Sequence, residues 1–322
     1  MNFKKPKYWD YQKISLWAIV LFPLTILYRF VFLTIKALKT SKEFPIPIIC
    51  IGNIYLGGTG KTPLAMEIFK ISKSLNKNPA FVKKPHSYLN DEIKMLKKIG
   101  ETFILKDRVS SISSLISNKY DVAILDDGFQ DFSINPNISI LCFNSKQLIG
   151  NGFVIPSGPL RENFSSIERA DCIFINGHKS LEFENKIKNF NSKIKIFYSK
   201  YKIKNSDKFK KKKIIAFAGI GNPQNFFDLL KENNFDVKKT FSFPDHHHYS
   251  KADYNKIFAE MSTLTDKKFK KQNENENDVI LLTTEKDYSR LDDEIKDSFN
   301  YAEIDLEIED KNEFINLIKE KL

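Results

Sequence analysis

The chain has 322 residues, and its 51 lysines and arginines against 40 aspartates and glutamates give a formal net charge of +11. This length allows one large core or two smaller domains, and we expect two. The basic balance favours an acidic partner such as a membrane surface, a phosphorylated substrate or nucleic acid. The three cysteines, Cys50, Cys142 and Cys172, lie in apolar runs, which argues against a disulfide framework or a zinc site and fits a reducing cytoplasm.

The first candidate element is an apolar segment, residues 14–28, which has no charged residue and is flanked by basic residues on both sides. A spanning helix needs about 20 apolar residues, whereas Pro23 and Arg29 interrupt this run. The pattern therefore predicts that residues 1–40 form a monotopic segment in the membrane interface. A helix buried in the core is the alternative, and a cleaved signal peptide is disfavoured because no cleavage pattern follows.

A candidate phosphate-binding loop follows the apolar run at residues 46–51. It reads Tyr55-Leu56-Gly57-Gly58-Thr59-Gly60-Lys61-Thr62, with Pro63 next, in what would be a first helical turn. Glycines let successive N–H groups turn toward phosphate oxygens, Lys61 adds a mobile charge, and Thr62 would bind Mg²⁺. The strict motif has glycine where this chain has Tyr55. The segment predicts binding of a nucleoside triphosphate, and a glycine-rich turn with an exposed lysine is the alternative.

Beyond the loop, apolar runs alternate with amphipathic stretches, which predicts an α/β fold with a mostly parallel sheet covered by helices. We predict strands at residues 46–51, 80–83, 102–105, 122–125, 138–143, 172–175, 214–218, 279–283 and 301–304. Helical periodicity marks residues 63–75, 109–117, 224–232 and 252–261.

A Lys/Asn-rich stretch at residues 179–213 indicates a domain boundary. It separates a P-loop nucleotide-binding core, residues 41–205, from a second, smaller α/β domain, residues 206–322. The polar tract at residues 266–278 predicts an exposed loop.

Two adjacent carboxylates, Asp126 and Asp127, come directly after the apolar run at residues 122–125 and before Gly128-Phe129-Gln130. In open α/β sheets, ligands bind beyond the carboxyl ends of the strands. Carboxylate oxygens there suit a hydrated Mg²⁺. The alternative is an Asp-Gly turn with solvated carboxylates.

Three of the chain's five histidines, His246, His247 and His248, follow Phe243-Pro244-Asp245. A zinc site would need further ligands from elsewhere. Orientation of a catalytic carboxylate, or a phosphate contact, is the better interpretation. A solvated histidine turn is the alternative.

Taken in order, these segments resemble the tetraacyldisaccharide 4'-kinase family, and the resemblance covers nearly the whole chain. No single motif is decisive, but the ordered series is highly specific. Besides the apolar N-terminal segment, the motifs that carry it are Gly52-Asn53, Gly57 to Pro63, Asp91-Glu92, Asp107-Arg108-Val109, Asp126 to Gln130, Gly158-Pro159-Leu160-Arg161-Glu162, Gly219-Ile220-Gly221-Asn222-Pro223, Phe243 to His247, and Thr284-Glu285-Lys286-Asp287.

The resemblance implies transfer of the γ-phosphoryl group of ATP, with Mg²⁺, to the 4'-hydroxyl of a tetraacylated glucosamine disaccharide 1-phosphate in lipid A biosynthesis. It places the enzyme at the cytoplasmic face of the bacterial inner membrane, as a peripheral or monotopic protein. Its partners would be the lipid substrate and the membrane surface, without nucleic acid or an obligate protein partner. It also implies that the second domain closes over the active site.

The resemblance further implies roles for single residues. Asp91 would be the base that accepts the sugar hydroxyl proton, and His246 would orient it. Lys61 and Asp127 would complete the catalytic set. The Mg²⁺ ligands would be Thr62, Asp126 and Asp127, and substrate or support contacts would come from Arg108, Gln130, Arg161 and Glu162.

Two departures from the family pattern concern this site. The chain reads Lys83-Lys84-Pro85-His86-Ser87-Tyr88 where the family usually has Ser-Arg-Gly-Tyr-Gly, and Asp131 stands where the family usually has histidine. Neither departure replaces Lys61, Thr62, Asp91, Asp126 or Asp127, so we expect retained activity, and an altered substrate preference stays open. Two other functions remain open at this point: a P-loop ATPase that phosphorylates no small molecule, and a degenerate, membrane-attached nucleotide-binding protein.

Overall fold

The computed structural model describes residues 5–11, 13–85, 90–266 and 279–322, with the backbone alone at 90–91 and 265–266. The contacts divide the chain into a larger unit, Lys5–Lys200 with Leu306–Leu322, and a smaller unit, Tyr201–Asp305. The loop predicted at residues 266–278 lies outside the described residues beyond Asp266.

The apolar N-terminal segment forms two helices, α1 (Leu16–Val20) and α2 (Phe22–Leu38). Ser15 caps α1, and Pro23 stands in the first turn of α2, where its missing N–H removes no helical hydrogen bond. Thr25 faces the protein and donates a hydrogen bond to the Val154 carbonyl oxygen at 3.1 Å.

Most apolar side chains of these two helices are exposed. They are Leu16, Trp17, Ile19, Val20, Phe22, Leu24, Ile26, Leu27, Phe30, Val31, Leu33, Ile35 and Leu38. Among the described residues, no helix has the length and apolar character needed to cross a bilayer.

The larger unit is built on an eight-stranded sheet. Its strands are β1 (Ile48–Gly52), β2 (Pro79–Val82), β3 (Thr102–Phe103), β4 (Val122–Asp126), β5 (Ile138–Asn144), β6 (Cys172–Asn176), β7 (Lys195–Ile203) and β12 (Ile304–Ile308). They lie in the order β12-β7-β6-β5-β1-β4-β2-β3. The pairs from β3 across to β7 are all parallel. The other helices of the larger unit are α3 (Lys61–Ser74), α4 (Asn90–Ile99), α5 (Arg108–Ser117), α6 (Leu181–Lys188) and α10 (Lys311–Lys319).

Burial explains why the strands read as continuous apolar runs. Every residue of β1, β2, β4, β5 and β6 is buried, as expected for a parallel sheet covered on both faces. The predicted α/β fold with a mostly parallel sheet is confirmed. Strand β1 lies between β4 and β5, so the chain reverses its winding direction there, and ligands bind at such a point in this class of fold.

The smaller unit holds a four-stranded parallel sheet. Its elements are β8 (Lys213–Ala218), α7 (Pro223–Glu232), β9 (Asp236–Ser242), α8 (Lys251–Asp266), β10 (Val279–Thr284), α9 (Glu285–Tyr288) and β11 (Asn300–Ala302). The strand order is β11-β10-β8-β9. Ile214 and Ala216 pack in one apolar cluster and Ile215 and Phe217 in another, since successive strand residues point to opposite faces.

The stretch predicted as a domain boundary contains regular structure, α6 and β7. Helix α6 buries only Phe183 and Ile187, which are four residues apart and so share one helix face. With two buried apolar residues among glutamates, lysines and an asparagine, the helical period is too weak to identify from the sequence.

The end of the chain also differs from the predicted division, which assigned all of residues 206–322 to the second domain. Leu306–Leu322 groups with the larger unit. Phe314 of α10 packs with its ring centroid 5.5 Å from that of Phe174 and 5.0 Å from that of Phe197. Composition gives no sign of this return, because it depends on contacts between distant parts of the chain.

Candidate active site

The loop between β1 and α3 is fixed by a buried amide. The Asn53 Nδ2 group donates to the Tyr55 carbonyl oxygen at 2.6 Å, the Gly57 carbonyl oxygen at 3.2 Å and Thr59 Oγ1 at 3.0 Å. Gly57 and Gly60 have φ angles of +146° and +89°, a region that favours glycine. Because α3 begins at Lys61, its free N–H groups and positive dipole end lie at the loop. This arrangement can bind phosphate.

Tyr55, which replaces the first glycine of the strict motif, is fully buried. Its hydroxyl donates to Asp10 Oδ1 at 2.5 Å and accepts from Lys5 Nζ at 2.8 Å. Burial and the hydrogen bond to Asp10 raise the pKa of Tyr55, so the phenol stays neutral. The ring therefore fastens the N-terminal residues to the core, and only the Tyr55 backbone is left to contact a nucleotide.

Asp126, the last residue of β4, is completely buried. Its Oδ2 accepts hydrogen bonds from Thr62 Oγ1 at 3.1 Å and Lys83 Nζ at 2.5 Å. Within the described part of the chain, its Oδ1 has no hydrogen-bond partner. A buried oxygen left without a donor is costly, and a hard cation or its water would satisfy it. Thr62 and Asp126 thus fit the oxygen ligands that Mg²⁺ prefers.

Asp127 follows in a left-handed conformation, with φ of +61°. Its Oδ1 lies 3.6 Å from Lys61 Nζ and accepts from an Arg161 guanidinium nitrogen at 3.0 Å. Burial opposes ionisation, but Lys61 and Arg161 outweigh it and hold the pKa of Asp127 well below its usual range. The two cations that would face phosphate oxygens are thereby held in place by one ionised carboxylate.

Lys83 belongs to the departing segment, and its side chain is only 2% exposed. Its Nζ lies between Asp126 Oδ2 and Glu92 Oε2, which is 2.6 Å away. Burial opposes the charge, but the two carboxylates raise the pKa of Lys83. Lys83 therefore adds a buried positive charge beside the candidate metal ligand, whereas the neighbouring Lys84 is exposed.

Asp91 lies in the first turn of α4, next to Glu92 in the chain. Its side chain, like residues 86–88 of the departing segment, lies outside the described residues. Its proposed role as a base stays a prediction.

The second departure, Asp131, has a clear partner. Its Oδ2 accepts from an Arg108 guanidinium nitrogen at 2.9 Å, and Arg108 also donates to the Asp127 carbonyl oxygen at 2.7 Å. Against the effect of burial, hydrogen bonds from Ser133 and Arg108 lower the pKa of Asp131. Asp131 thus fixes the arginine that supports the turn after β4.

Gln130 links the phosphate loop to the Gly-Pro-Leu-Arg-Glu motif. Its Nε2 donates to the Asn53 carbonyl oxygen at 2.8 Å and to Glu162 Oε1 at 2.9 Å, and its Oε1 accepts from Arg161 at 3.1 Å. Arg169 closes the network with a hydrogen bond of 2.8 Å to Glu162 Oε2.

Arg169 also places its guanidinium carbon 4.5 Å from the ring centroid of Phe129. The sequence offered no signal for Arg169, which lies outside every motif. The sequence likewise gave Asn53 no role, although it follows β1 directly, at the edge where ligands bind.

A cavity of about 230 Å³ opens over these groups. Its charged lining comprises five cationic side chains and three carboxylates, which suits a polyanionic ligand. The lining residues are Lys39, Lys83, Lys84, Arg108, Arg161, Asp126, Asp127, Asp131 and Gln130. Lys39 directly follows α2, so the end of the N-terminal segment contributes to the wall.

In the smaller unit, three of the sequence motifs meet at the carboxyl ends of β8, β9 and β10. Asp287 is completely buried, and its Oδ1 accepts from the Gly219 N–H at 3.0 Å and from the Tyr249 hydroxyl at 2.9 Å. His246 has a φ angle of +55°, and its N–H donates to the Gly219 carbonyl oxygen at 3.1 Å. Gly219 therefore joins the histidine segment to the Thr284–Asp287 motif.

A sequence profile described as tetraacyldisaccharide-1-P 4'-kinase, LpxK, matches residues 17–88 and 83–322. The chain belongs to the LpxK family. Its two matched segments overlap at residues 83–88, the segment that departs from the usual family pattern.

Relatives in this family match over almost their whole length. The chain is 38% identical to a tetraacyldisaccharide 4'-kinase of Pelagibacter ubique, over 99% of this chain and 98% of the relative. It is 30% identical to one of Rickettsia canadensis, over 98% and 96%. A crystal structure of LpxK from Aquifex aeolicus, described as in complex with ATP, superposes with a TM-score of 0.69 over 94% of this chain and 99% of that one. At 24% identity, this likeness shows the shared fold.

Proposed function

We propose that this protein is a tetraacyldisaccharide 4'-kinase. It transfers the γ-phosphoryl group of ATP to the 4'-hydroxyl of a tetraacylated glucosamine disaccharide 1-phosphate, a step of lipid A biosynthesis. The observation that carries this function is a pair of contacts at the phosphate loop, in a chain of the LpxK family. Thr62 donates a hydrogen bond to Asp126, and Lys61 forms an ion pair with Asp127. Neither the ATPase nor the degenerate binding protein has an observation in its favour.

ATP would bind with its phosphates against the backbone N–H groups of residues 55–60 and the start of α3. Lys61 would contact the β- and γ-phosphates. Thr62, Asp126 and Asp127 would hold Mg²⁺, which when bound offsets phosphate charge. Within the described ranges, no three His, Cys, Asp or Glu side chains group as a metal site, so the protein would share the ion with the nucleotide.

Phosphoryl transfer depends chiefly on positioning and on charge stabilisation. Lys61 and Arg161 both pair with the Asp127 carboxylate and are thereby fixed before substrate binds. Such preorganised cations stabilise the charge that spreads over the transferred group without a reorganisation cost. Gln130, Glu162 and Arg108 hold these groups and the adjoining turn.

The acceptor hydroxyl must lose its proton as the new bond between O4' and phosphorus forms and the bond to the β-phosphate oxygen breaks. We assign Asp91 as the acceptor of this proton and His246 as the residue that orients it, and ADP leaves with the electron pair. A well-placed base contributes roughly 10²- to 10⁴-fold. Asp91 lies beside Glu92, whose carboxylate is fixed by Lys83, which supports a defined backbone position for the base.

The N-terminal helices supply the membrane contact in this proposal. A substrate with four acyl chains stays in the bilayer, so the enzyme must reach it there. Helices α1 and α2 expose a large apolar surface, which marks an interaction site, and basic residues such as Arg29 and Lys36 favour anionic lipid. We assign these helices to the interface of the cytoplasmic face of the bacterial inner membrane.

The domain assignment of the proposal keeps residues 1–40 as the membrane segment and residues 41–205 as the nucleotide-binding core. The second domain, within residues 206–322, would close over the active site. The grouping of Leu306–Leu322 with the larger unit favours counting those residues with the core.

The test is transfer of ³²P from γ-labelled ATP to a detergent-dispersed tetraacyl disaccharide 1-phosphate. Lys61→Ala should reduce labelled lipid by about 100-fold or more, because it removes a preorganised charge. Lys73→Ala is the matched control on the same helix, since that ammonium bonds Asn78 Oδ1 at 2.9 Å and should leave transfer unchanged. ATP hydrolysis without labelled lipid would refute the kinase.

A further inference from the structure

The smaller unit contains a buried charged network that the proposed function leaves without a role. Its hub is Asp287, whose Oδ2 accepts from Thr284 Oγ1 at 2.7 Å while its Oδ1 accepts from an Arg290 guanidinium nitrogen at 3.1 Å. These contacts add to those from Gly219 and Tyr249. A carboxylate with donors on both oxygens is a rigid anchor for the arginine.

Arg290 connects this anchor to the histidine segment. Its side chain is 10% exposed. One guanidinium nitrogen donates to the Gly219 carbonyl oxygen at 2.8 Å in addition to Asp287, and the other lies 3.3 Å from His246 Nδ1. The planar fork of arginine can hold both directions at once, which a lysine ammonium on a flexible stem cannot do.

The backbone of His246 is held on the same frame. Its N–H donates both to the Gly219 carbonyl oxygen at 3.1 Å and to Asp245 Oδ1 at 3.0 Å. A left-handed φ angle is unusual for a residue other than glycine, and these hydrogen bonds maintain it. The His246 main chain is thus bonded to Gly219 directly, and its ring is connected to Gly219 through Arg290.

The contact between Arg290 and His246 determines where the ring carries its hydrogen. A guanidinium has only donors and stays protonated, so the nitrogen that faces it must accept. In a neutral imidazole one nitrogen accepts and the other carries the hydrogen. His246 Nδ1 is therefore the acceptor and Nε2 carries the hydrogen.

We propose that Arg290, anchored by Asp287 and Gly219, is a positioning residue that fixes His246 as the Nε2–H tautomer. The nitrogen presented to a reacting group is then a hydrogen-bond donor, suited to a carboxylate or phosphate oxygen. The catalytic consequence rests on the proposed kinase function, whereas the tautomer itself does not. The Gly219–Pro223 and Thr284–Asp287 motifs thus share a role. Through Gly219, Thr284 and Asp287 they hold the Arg290 guanidinium against the His246 ring.

The direct test is a long-range ¹H–¹⁵N correlation spectrum of the full-length protein with ¹⁵N-labelled histidine, recorded where the rings are neutral. His246→Ala assigns the signals by their loss. We expect Nδ1 at the shift of an unprotonated nitrogen and Nε2 at that of a protonated one. The opposite pattern would overturn the proposal without any other variant.

A variant then tests the part played by Arg290. Arg290→Met keeps the aliphatic stem but removes every donor, so the His246 signals should move to a mixture of tautomers. If this variant fails to fold, Arg290→Lys keeps a charge near Asp287 and should show a smaller change in the same direction. Unchanged His246 signals in a folded variant would overturn the proposal.

Kinetics separates this inference from the proposed function. In Arg290→Met, kcat for lipid phosphorylation should fall about tenfold, comparable to the loss when a partner that orients a metal-ligating histidine is removed, with the KM for ATP unchanged. Arg290→Met should add little to His246→Ala, because both act through one ring. His248→Ala, at an exposed neighbouring histidine, is the control. A wild-type protein with the expected tautomer and no lipid phosphorylation would refute the kinase and leave the tautomer assignment standing.

Discussion

Thr62 and Asp126 are joined by a hydrogen bond of 3.1 Å although they lie 64 positions apart in the chain. Thr62 lies in the first turn of the helix after the phosphate loop, and Asp126 ends the neighbouring strand β4. Parallel pairing of β1 with β4 brings these two ends to the same edge of the sheet. The bond thus unites the two motifs that indicate a nucleotide-binding site.

Lys83→Met should destabilise the protein, because it leaves Asp126 and Glu92 without their shared buried cation. Removing one partner of a buried ion pair costs about 3 to 5 kcal/mol. Urea unfolding followed by circular dichroism measures this loss. Lys84→Met, next in the chain and exposed, should change the unfolding free energy by less than about 0.5 kcal/mol. Equal effects of the two substitutions would contradict a buried role for Lys83.

Gly219→Ala should reduce stability by about 1 to 3 kcal/mol. A Cβ at this position would lie 3.0 Å from the Pro244 carbonyl oxygen and 3.2 Å from Asp287 Oδ1, so the frame around His246 must shift. Thermal unfolding checks the prediction. The control is Gly58→Ala, where the added atom would meet nothing within 4 Å and stability should be retained. A Gly219→Ala protein as stable as the wild type would contradict close packing of Pro244 and Asp287 around Gly219.

Asp127 should make the stability of the protein depend on pH in the acid range. Its pKa in the folded state lies well below that of an aspartate in the unfolded chain, so its contribution is complete above the unfolded-state pKa and is lost as the pH falls through the lower, folded-state pKa. The difference in unfolding free energy between wild type and Asp127→Asn should therefore shrink below about pH 4. Denaturant titrations from about pH 6 to about pH 3 test it. A difference in unfolding free energy that grows on acidification would contradict a lowered pKa for Asp127.

Trp17→Gln combined with Phe30→Gln should weaken binding to phosphatidylglycerol vesicles by at least about tenfold. The two side chains are 65% and 69% exposed, and each aromatic side chain moved out of water is worth about 1.5 to 3 kcal/mol. Vesicle co-sedimentation measures the change. Leu181→Gln, at an apolar residue that is 76% exposed elsewhere, is the control. Unchanged binding of the double variant would remove the helices from the membrane contact.

Much of the fold could be predicted from sequence because local patterns and buried strands agree there. The runs at β1, β4, β5 and β6 are continuous and apolar, and the structure buries each of them completely. Helix α6 could not be predicted because only Phe183 and Ile187 are buried among its charged and polar residues. Strand β7 was missed because its short apolar run, residues 196–198, lies within the Lys/Asn-rich stretch that indicated a boundary. The return of Leu306–Leu322 to the larger unit is a long-range property that no local period contains.

In the candidate site, too, some residues could be predicted from local sequence and others could not. The residue types of the phosphate loop and of Asp126 and Asp127 predicted a phosphate and metal site, and parallel pairing explains their proximity. The burial of Lys83 and the roles of Asn53, Arg169 and Arg290 could not be predicted. Each depends on contacts that form only in the folded chain, such as the ion pairs of Lys83 with Asp126 and Glu92.

The most direct test of the kinase is to identify the product by ³¹P NMR after incubation of the protein with MgATP and a tetraacyl disaccharide 1-phosphate. The proposed function predicts a second phosphomonoester on the lipid, coupled to the proton at position 4', with ADP released in equal amount. ADP formation with the lipid unchanged, or phosphate attached at another hydroxyl, would contradict it.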